Sequence, residues 1–228
     1  MRVRVFSVLP VVAMALMFVS PAREMRADTV FTNFGSNQTY SGTAWWDVGT
    51  VPGTTSVEVN AYPFVPTTTA LLTGADLALS GLQSPTTPLN VFIESDSGGM
   101  PGTILDTLTQ NGSYMAYPVT TVVNFNCTGS CTVLDAGTTY WIVGQQTDAA
   151  NLAYWMRNTT GDVGAWYYNY SNGATGPWTL ATAGNDFGAF DVTGTAATPA
   201  VPEPASLALL GSGLLGIFAA ARRRAWSR

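Results

Sequence analysis

Two carboxyl side chains, Glu94 and Asp96, lie two residues apart near the end of an apolar run in this 228-residue chain. Alternate residues of a strand point to the same face of a sheet, so the pair is predicted to share one face. Such a pair could hold Ca²⁺ with nearby serine hydroxyls, or supply the acid and base of glycoside hydrolysis. The simpler interpretation is a solvated turn, because the spacing lacks the denser Asp/Asn pattern of a calcium loop.

Aromatic side chains form a second candidate site in the last third of the chain. Residues 166–170 read Trp-Tyr-Tyr-Asn-Tyr, after an earlier pair, Trp45 and Trp46. Neighbouring residues of a strand alternate faces, so both faces of this segment receive rings and one of them could be exposed. Exposed rings beside amide and carboxyl groups could stack on sugars, whereas core packing is the alternative. The residues assigned to this candidate site are Trp166, Tyr168, Tyr170 and Trp178.

The composition excludes much other chemistry. The sequence contains no His and no Lys, which rules out a Ser-His-Asp triad, a Schiff-base lysine and a P-loop lysine. Residues 28–198 carry one basic side chain, Arg157, and 12 of the 14 acidic ones, so their net charge is −11. Nucleic acid is therefore not an expected partner, because binding it requires Lys or Arg to replace counterions. Neutral sugars or cations remain compatible ligands, and no cofactor or enzymatic activity is predicted.

Short strands must position these side chains. Ten are predicted, separated by Gly, Pro, Asn and Asp. In residues 56–62, Val57, Val59 and Ala61 alternate with Glu58, Asn60 and Tyr62, as in half-buried antiparallel strands. The predicted strands are 29–34, 56–64, 74–82, 89–94, 103–109, 119–126, 139–146, 152–157, 165–170 and 187–193.

This pattern predicts an all-β fold, a two-sheet antiparallel sandwich of jelly-roll type, with a closed barrel as the structural alternative. The predicted domain spans residues 28–194, and residues 195–201 form a linker. About 170 residues are enough for one domain with a sizeable core.

The N-terminal segment, residues 1–27, has the parts of a secretory signal peptide. Arg2 and Arg4 precede a 12-residue apolar run over 8–19, and small residues follow. Cleavage after Ala22 and cleavage after Ala27 are both compatible with the sequence; an uncleaved N-terminal anchor is the alternative.

The C-terminal segment, residues 202–228, has three parts. Pro202, Glu203 and Pro204 precede an uncharged apolar run over 205–221, and a basic tail over 222–228 follows. Seventeen helical residues span roughly 25 Å, the short end of a membrane-crossing helix. Basic residues beside a span favour the cytoplasm, so the domain is predicted to lie outside the inner membrane.

This ending resembles the PEP-CTERM sorting signal of Gram-negative bacteria, on the residues Pro202, Glu203, Pro204, Arg222, Arg223 and Arg224. The resemblance implies that an exosortase reads the tail, and that a membrane-anchored precursor becomes a protein of the cell surface or extracellular matrix. An ordinary single-span anchor after a Pro-rich linker is the alternative.

The two cysteines, Cys127 and Cys131, enclose Thr-Gly-Ser. An exported chain meets an oxidising compartment, so a disulfide closing this small loop is predicted. A redox pair is the alternative, but no basic neighbour is present in the sequence to lower a thiol pKa.

Several local patterns of the middle region are similar to the choice-of-anchor ectodomains, type R. They include Ser-Asp-Ser-Gly-Gly-Met-Pro-Gly at 95–102, Leu-Asp-Ala-Gly-Thr-Thr-Tyr-Trp at 134–141 and Phe-Asp-Val-Thr-Gly at 190–194. The resemblance implies an extracellular β-sandwich and transfers no catalytic residues.

The sequence thus predicts an exported, non-catalytic surface protein, either structural or binding, in or near an exopolysaccharide matrix. A carbohydrate- or calcium-binding module is the second hypothesis, and a carboxylate-dependent glycoside hydrolase is the third.

Overall fold

The computed structural model describes residues 27–82, 88–148, 151–171, 173–181 and 184–196. Within these residues the chain is all-β, with fifteen strands and one short 3-10 turn at Ser36–Gln38. The strands are β1 (Asp28–Thr32), β2 (Trp45–Thr50), β3 (Val57–Phe64), β4 (Ala70–Gly81), β5 (Leu89–Asp96), β6 (Pro101–Asn111), β7 (Thr121–Cys127), β8 (Val133–Leu134), β9 (Tyr140–Gln146), β10 (Leu152–Met156), β11 (Val163–Gly164), β12 (Tyr167–Asn169), β13 (Thr179–Leu180), β14 (Asn185–Asp186) and β15 (Phe190–Ala196).

The main sheet closes on itself into a barrel-like sandwich. Its ring runs β4–β10–β2–β3–β9–β5–β6–β7, and β7 pairs again with β4. These pairings are antiparallel. The predicted antiparallel all-β fold is confirmed, but the division into two separate sheets is wrong.

The physical reason for closure is the length of β4. On one edge this 12-residue strand pairs with β15 and then β10, and on the other with β8 and then β7. One strand therefore belongs to both layers, and hydrogen bonding runs between them without a break.

The first and last described strands lie side by side. β1 pairs with β15, and Asp28 lies opposite Gly194. The two ends of the domain therefore leave it at the same place. β15 runs to Ala196, two residues beyond the predicted domain end.

The central core is built around Trp155, which is fully buried on β10. Its indole N–H donates to the Ala189 carbonyl at 3.0 Å, and the ring of Tyr62 meets it edge-on with centroids 4.9 Å apart. Gly144 and Gly188 face this indole, where a β-carbon would lie 2.9 and 2.6 Å from its atoms. The glycines make room for the largest core side chain.

β3 is buried on both faces, which corrects the prediction of a half-buried strand. Tyr62 belongs to the central core, while Val59 and Ala61 belong to a second apolar cluster, and each of the three is 0% exposed. The second cluster includes Ala174 and is packed by Trp178, so the 173–181 segment covers this face of the sheet. Polar Asn60 on the same strand is also buried.

The predicted signal peptide, apart from Ala27, and the predicted membrane helix fall on residues outside the described ranges. Within those ranges, no helix has the length and apolar character needed to span a membrane.

Candidate functional site

A cleft of about 470 Å³ opens beside β2, β3 and β12. Aromatic rings and two carboxyl groups make up most of its lining. The lining residues are Trp45, Trp46, Asp47, Glu58, Trp166, Tyr168, Tyr170, Leu180, Ala181 and Asn185.

The register of β12 against β3 places the tyrosines. Tyr168 lies opposite Asn60 and Asn169 opposite Val59, so Tyr170 follows next to Glu58. The buried side chain of Asn169 fixes the end of the strand: its amide donates to the Gly173 carbonyl at 2.7 Å, and its oxygen accepts from the Ser171 N–H at 3.0 Å. These two hydrogen bonds therefore stabilise the turn that follows Tyr168 and carries Tyr170.

The aromatic rings form a continuous run along the cleft, from the half-buried Trp46 to the exposed Tyr170. Centroids are 4.6 Å apart for Trp46 and Trp166, 5.8 Å for Trp166 and Tyr168, and 5.1 Å for Tyr168 and Tyr170. Trp166 is 3% exposed and Tyr170 is 53% exposed. The run therefore passes through the buried Trp166 and ends at the surface with Tyr170.

The two tryptophans at the base of this run differ in their hydrogen bonding. The indole N–H of Trp46 donates to the Asp186 carbonyl at 2.8 Å. The indole N–H of Trp166 is buried and has no acceptor among the described residues. A buried donor without a partner is uncommon in folded proteins, so the indole N–H of Trp166 is an unusual feature of the cleft wall.

The carboxyl groups of Asp47 and Glu58 interact in the same cleft. Burial, and then the negative charge of Asp47, raise the pKa of Glu58 to about 7, against a smaller opposing effect of a hydrogen bond from Asn60. Burial raises the pKa of Asp47 as well, and a hydrogen bond from Trp45 lowers it. No positive charge among the described residues contributes to either shift.

Arg157, the one basic side chain of the described residues, does not line the cleft. Its guanidinium carbon lies 3.9 Å from the centre of the Trp46 ring, in a cation–π contact. The ring of Trp46, which lines the cleft, is therefore already in contact with one cation.

The structure brings together three of the four aromatic residues singled out in the sequence. Trp166, Tyr168 and Tyr170 line the cleft. Trp178 does not, because it packs against the second apolar cluster on the other face of β3. Sequence reasoning missed Asp47 and Glu58 as site residues; the available signal was that Trp45 and Trp46 directly precede an acidic residue.

Glu94 and Asp96 do not form a shared exposed pair. Glu94 is 0% exposed, and neither of its carboxyl oxygens has a hydrogen-bond partner among the described residues. Burial raises its pKa to about 8. Asp96 is exposed, and its oxygens accept from the Trp141 indole at 2.9 Å and the Gly99 N–H at 3.0 Å. The geometry therefore offers Ca²⁺ no joint access to the two groups.

Cys127 and Cys131 are joined in a disulfide bond. With Asp106 they form the one group of three potential metal ligands found among the described residues. Because the sulfurs are bonded to each other, they are not free thiolates able to bind a metal.

The comparisons with known proteins reach only the C-terminal segment. Residues 200–224 match the PEP-CTERM protein-sorting motif. No curated protein and no solved structure matches the chain. The motif supports a protein that is exported, held first as a C-terminally anchored precursor, processed by an exosortase and sorted to the surface. The matched residues lie outside those the structure describes.

Proposed function

We propose that this chain is a surface-sorted, non-catalytic β-sandwich that binds carbohydrate in the aromatic cleft beside β2, β3 and β12. The run of rings from Trp46 to Tyr170 is the observation that carries the proposal. Tyr170 is the exposed end of that run, so its ring is available to a ligand from solvent.

The cleft has the size and composition of a ligand site. Its volume of about 470 Å³ lies within the range of roughly 300–1,000 Å³ typical of small-molecule pockets. Aromatic faces bury the apolar faces of a sugar ring, while carboxyl and amide groups can accept from sugar hydroxyls. The lining supplies both kinds of group, with Asp47, Glu58 and Asn185 as the polar members.

Surface sorting supports an extracellular polysaccharide as the ligand class. The motif at residues 200–224 directs the chain to the compartment where such polymers lie, and an exosortase is its processing partner. The β-sandwich is proposed to be of the choice-of-anchor type. Its turn at 97–100, closed by a 2.8 Å hydrogen bond from Ser97 N–H to the Met100 carbonyl, joins β5 to β6 in one of the patterns that carry that resemblance.

The test is a glycan array probed with the labelled full chain in detergent, followed by titration of the best ligand. Tyr170→Ala is expected to weaken binding about tenfold, the equivalent of one lost stacking contact. Met115→Ala is the matched control, because Met115 is 51% exposed and does not line the cleft. Failure of the wild-type chain to bind any glycan would overturn the proposal.

Glycoside hydrolysis is a second candidate function, favoured by one observation. Glu58, with a pKa of about 7, lies in the cleft beside the negative charge of Asp47. A carboxylic acid that stays protonated near neutral pH, beside an ionised partner, is the pairing that glycosidases use. Release of reducing ends from bound glycans, lost in Glu58→Gln, would establish hydrolysis in place of simple binding.

A further inference from the structure

The cleft concentrates negative charge without a basic partner. The negative charge of Asp47 raises the electrostatic cost of ionising Glu58, and no cation among the described residues offsets it. Arg157, the one basic side chain of the described residues, lies over Trp46. The two carboxyl groups could therefore bind a positively charged group of a ligand.

The aromatic lining favours an organic cation over a metal ion. Two carboxyl groups supply too few ligands for Ca²⁺, which takes six to eight oxygens. No third acidic side chain lies close enough to Asp47 and Glu58 to complete a metal group in the described part of the chain. Ring faces attract cations through their quadrupole, and Arg157 makes this contact with Trp46, one of the rings that line the cleft.

The unpartnered indole of Trp166 is a separate indication that the wall is built for a ligand. It is 3% exposed, lines the cleft, and its N–H has no acceptor among the described residues. An indole N–H can only donate, so it suits a ligand that also carries oxygen acceptors. A sugar that bears an ammonium group offers both features.

Resting on the proposed carbohydrate site, we infer that its ligand is an amino sugar with a free, protonated amine. The ammonium group lies between the carboxyl groups of Asp47 and Glu58, and the sugar ring stacks on Tyr168 and Tyr170. A charge-assisted hydrogen bond between ammonium and carboxylate is roughly twice as strong as a neutral one. N-acetylation removes that charge, so the cleft discriminates between acetylated and free forms of one sugar.

The test is calorimetric titration of the full chain in detergent with three oligosaccharides of equal length. One is a β-1,4 tetramer of glucosamine, one its fully N-acetylated form, and one the neutral glucose tetramer. The glucosamine tetramer is expected to bind at least about tenfold more tightly than the other two.

Substitutions in the cleft test whether its residues cause the preference for the free amine. Glu58→Gln and Asp47→Asn should each reduce the preference for the free amine over the neutral tetramer about five- to tenfold. Tyr170→Ala should weaken all three ligands. Asp135→Asn removes the same charge from an exposed position outside the cleft and should change none of them.

Each contrary outcome has a distinct meaning. Equal binding of all three tetramers overturns the amine inference and leaves the carbohydrate site standing, whereas no binding of any of them counts against both. An equal loss in Asp135→Asn would show diffuse attraction to an acidic chain and overturn the inference. Binding heat on titration with Ca²⁺ alone, if it disappears in Glu58→Gln, would also overturn the inference. Melting curves for each variant verify that it remains folded.

Discussion

At the scale of single residues, Glu94 shows how burial changes the chemistry of a carboxyl group. Its neighbours across the sheet are Trp141 on one side and Ile104 on the other, and neither carboxyl oxygen has a hydrogen-bond partner among the described residues. Desolvation favours the neutral acid, which raises the pKa to about 8. Glu94 is therefore mainly uncharged at neutral pH.

Glu94→Gln is expected to change how stability depends on pH. In the unfolded chain the carboxyl ionises near its ordinary pKa of 4.5, but in the folded protein it ionises near 8. Between these values the folded state binds more protons, so the free energy of unfolding falls as pH rises. The variant should lose this slope. As pH rises through this range, its free energy of unfolding should therefore increase relative to that of the wild type by up to about 1.4 kcal/mol per pH unit.

Urea denaturation at pH 5, 6, 7 and 8 measures the difference. Glu58 and Asp191, whose pKa values burial raises to about 7, contribute equally to both proteins and cancel in the comparison. Asp135→Asn, at an exposed position, should keep the wild-type slope. Parallel pH profiles for wild type and Glu94→Gln would show that Glu94 titrates as an ordinary carboxyl.

The residues of the candidate site were only partly readable from the sequence. Trp166, Tyr168 and Tyr170 stood out because rings at alternate positions of a strand share a face. Asp47 and Glu58 are 11 residues apart in the chain and meet only because β2 pairs with β3. Trp178 packs on the other face of β3, away from the cleft, and periodicity does not reveal which face of a strand a later segment covers.

At the scale of elements, the packing of β10 against the start of β15 depends on Gly188. A β-carbon there would lie 2.6–2.7 Å from three atoms of the Trp155 indole. The indole is fully buried and hydrogen-bonded to Ala189, so it has little room to move.

Gly188→Ala should therefore destabilise the protein by about 1–3 kcal/mol through overpacking. Gly42→Ala is the matched control, since its β-carbon would meet nothing within 4 Å, and its effect should stay within about 0.5 kcal/mol. Urea unfolding followed by tryptophan fluorescence compares the two. A fully stable Gly188→Ala protein would mean that Trp155 can repack.

The disulfide between Cys127 and Cys131 restrains the exit from β7. The two residues are four apart in sequence, and Asp106 on β6 accepts from the Thr132 N–H at 3.0 Å just beyond the loop. The Cys127→Ser/Cys131→Ser double variant should fold and lose about 2 kcal/mol or less, because cross-linking a short loop removes little chain entropy. Urea unfolding of the double variant measures this loss, with Ser130→Ala as a control in the same loop. Failure of the double variant to fold would show that the bridge is essential.

The strands were more predictable than their arrangement. Each of the ten predicted strands overlaps an observed one, because apolar runs between turn residues are local signals. β2 was missed, although it carries Trp45, Trp46 and Asp47. Its six residues include Gly49, which is at φ 117°, and show no simple alternation. Ring closure depends on both edges of β4, which no local pattern encodes.

At the scale of the whole molecule, the tail decides where the acidic β domain is delivered. The motif at residues 200–224 begins four residues after the end of β15 in sequence. Pro202→Ala/Glu203→Ala should leave the protein as an unprocessed membrane precursor, because the Pro-Glu-Pro tripeptide belongs to the motif that an exosortase would read.

Cell fractionation with mass spectrometry of both protein termini measures this outcome. Pro199→Ala, just before the matched residues, should be processed normally. Normal release of the double variant would mean that the tripeptide is dispensable for sorting.

The pairing of Asp28 with Gly194 has a topological consequence. Since the domain begins and ends at neighbouring positions, a short peptide could join the two ends without disturbing the ring. The chain could then be reopened at an exposed turn, such as the one after Asp96, as a circular permutant. In such a molecule the C-terminal anchor would leave the domain at the new opening. The choice of opening would therefore set whether the cleft faces toward or away from the membrane.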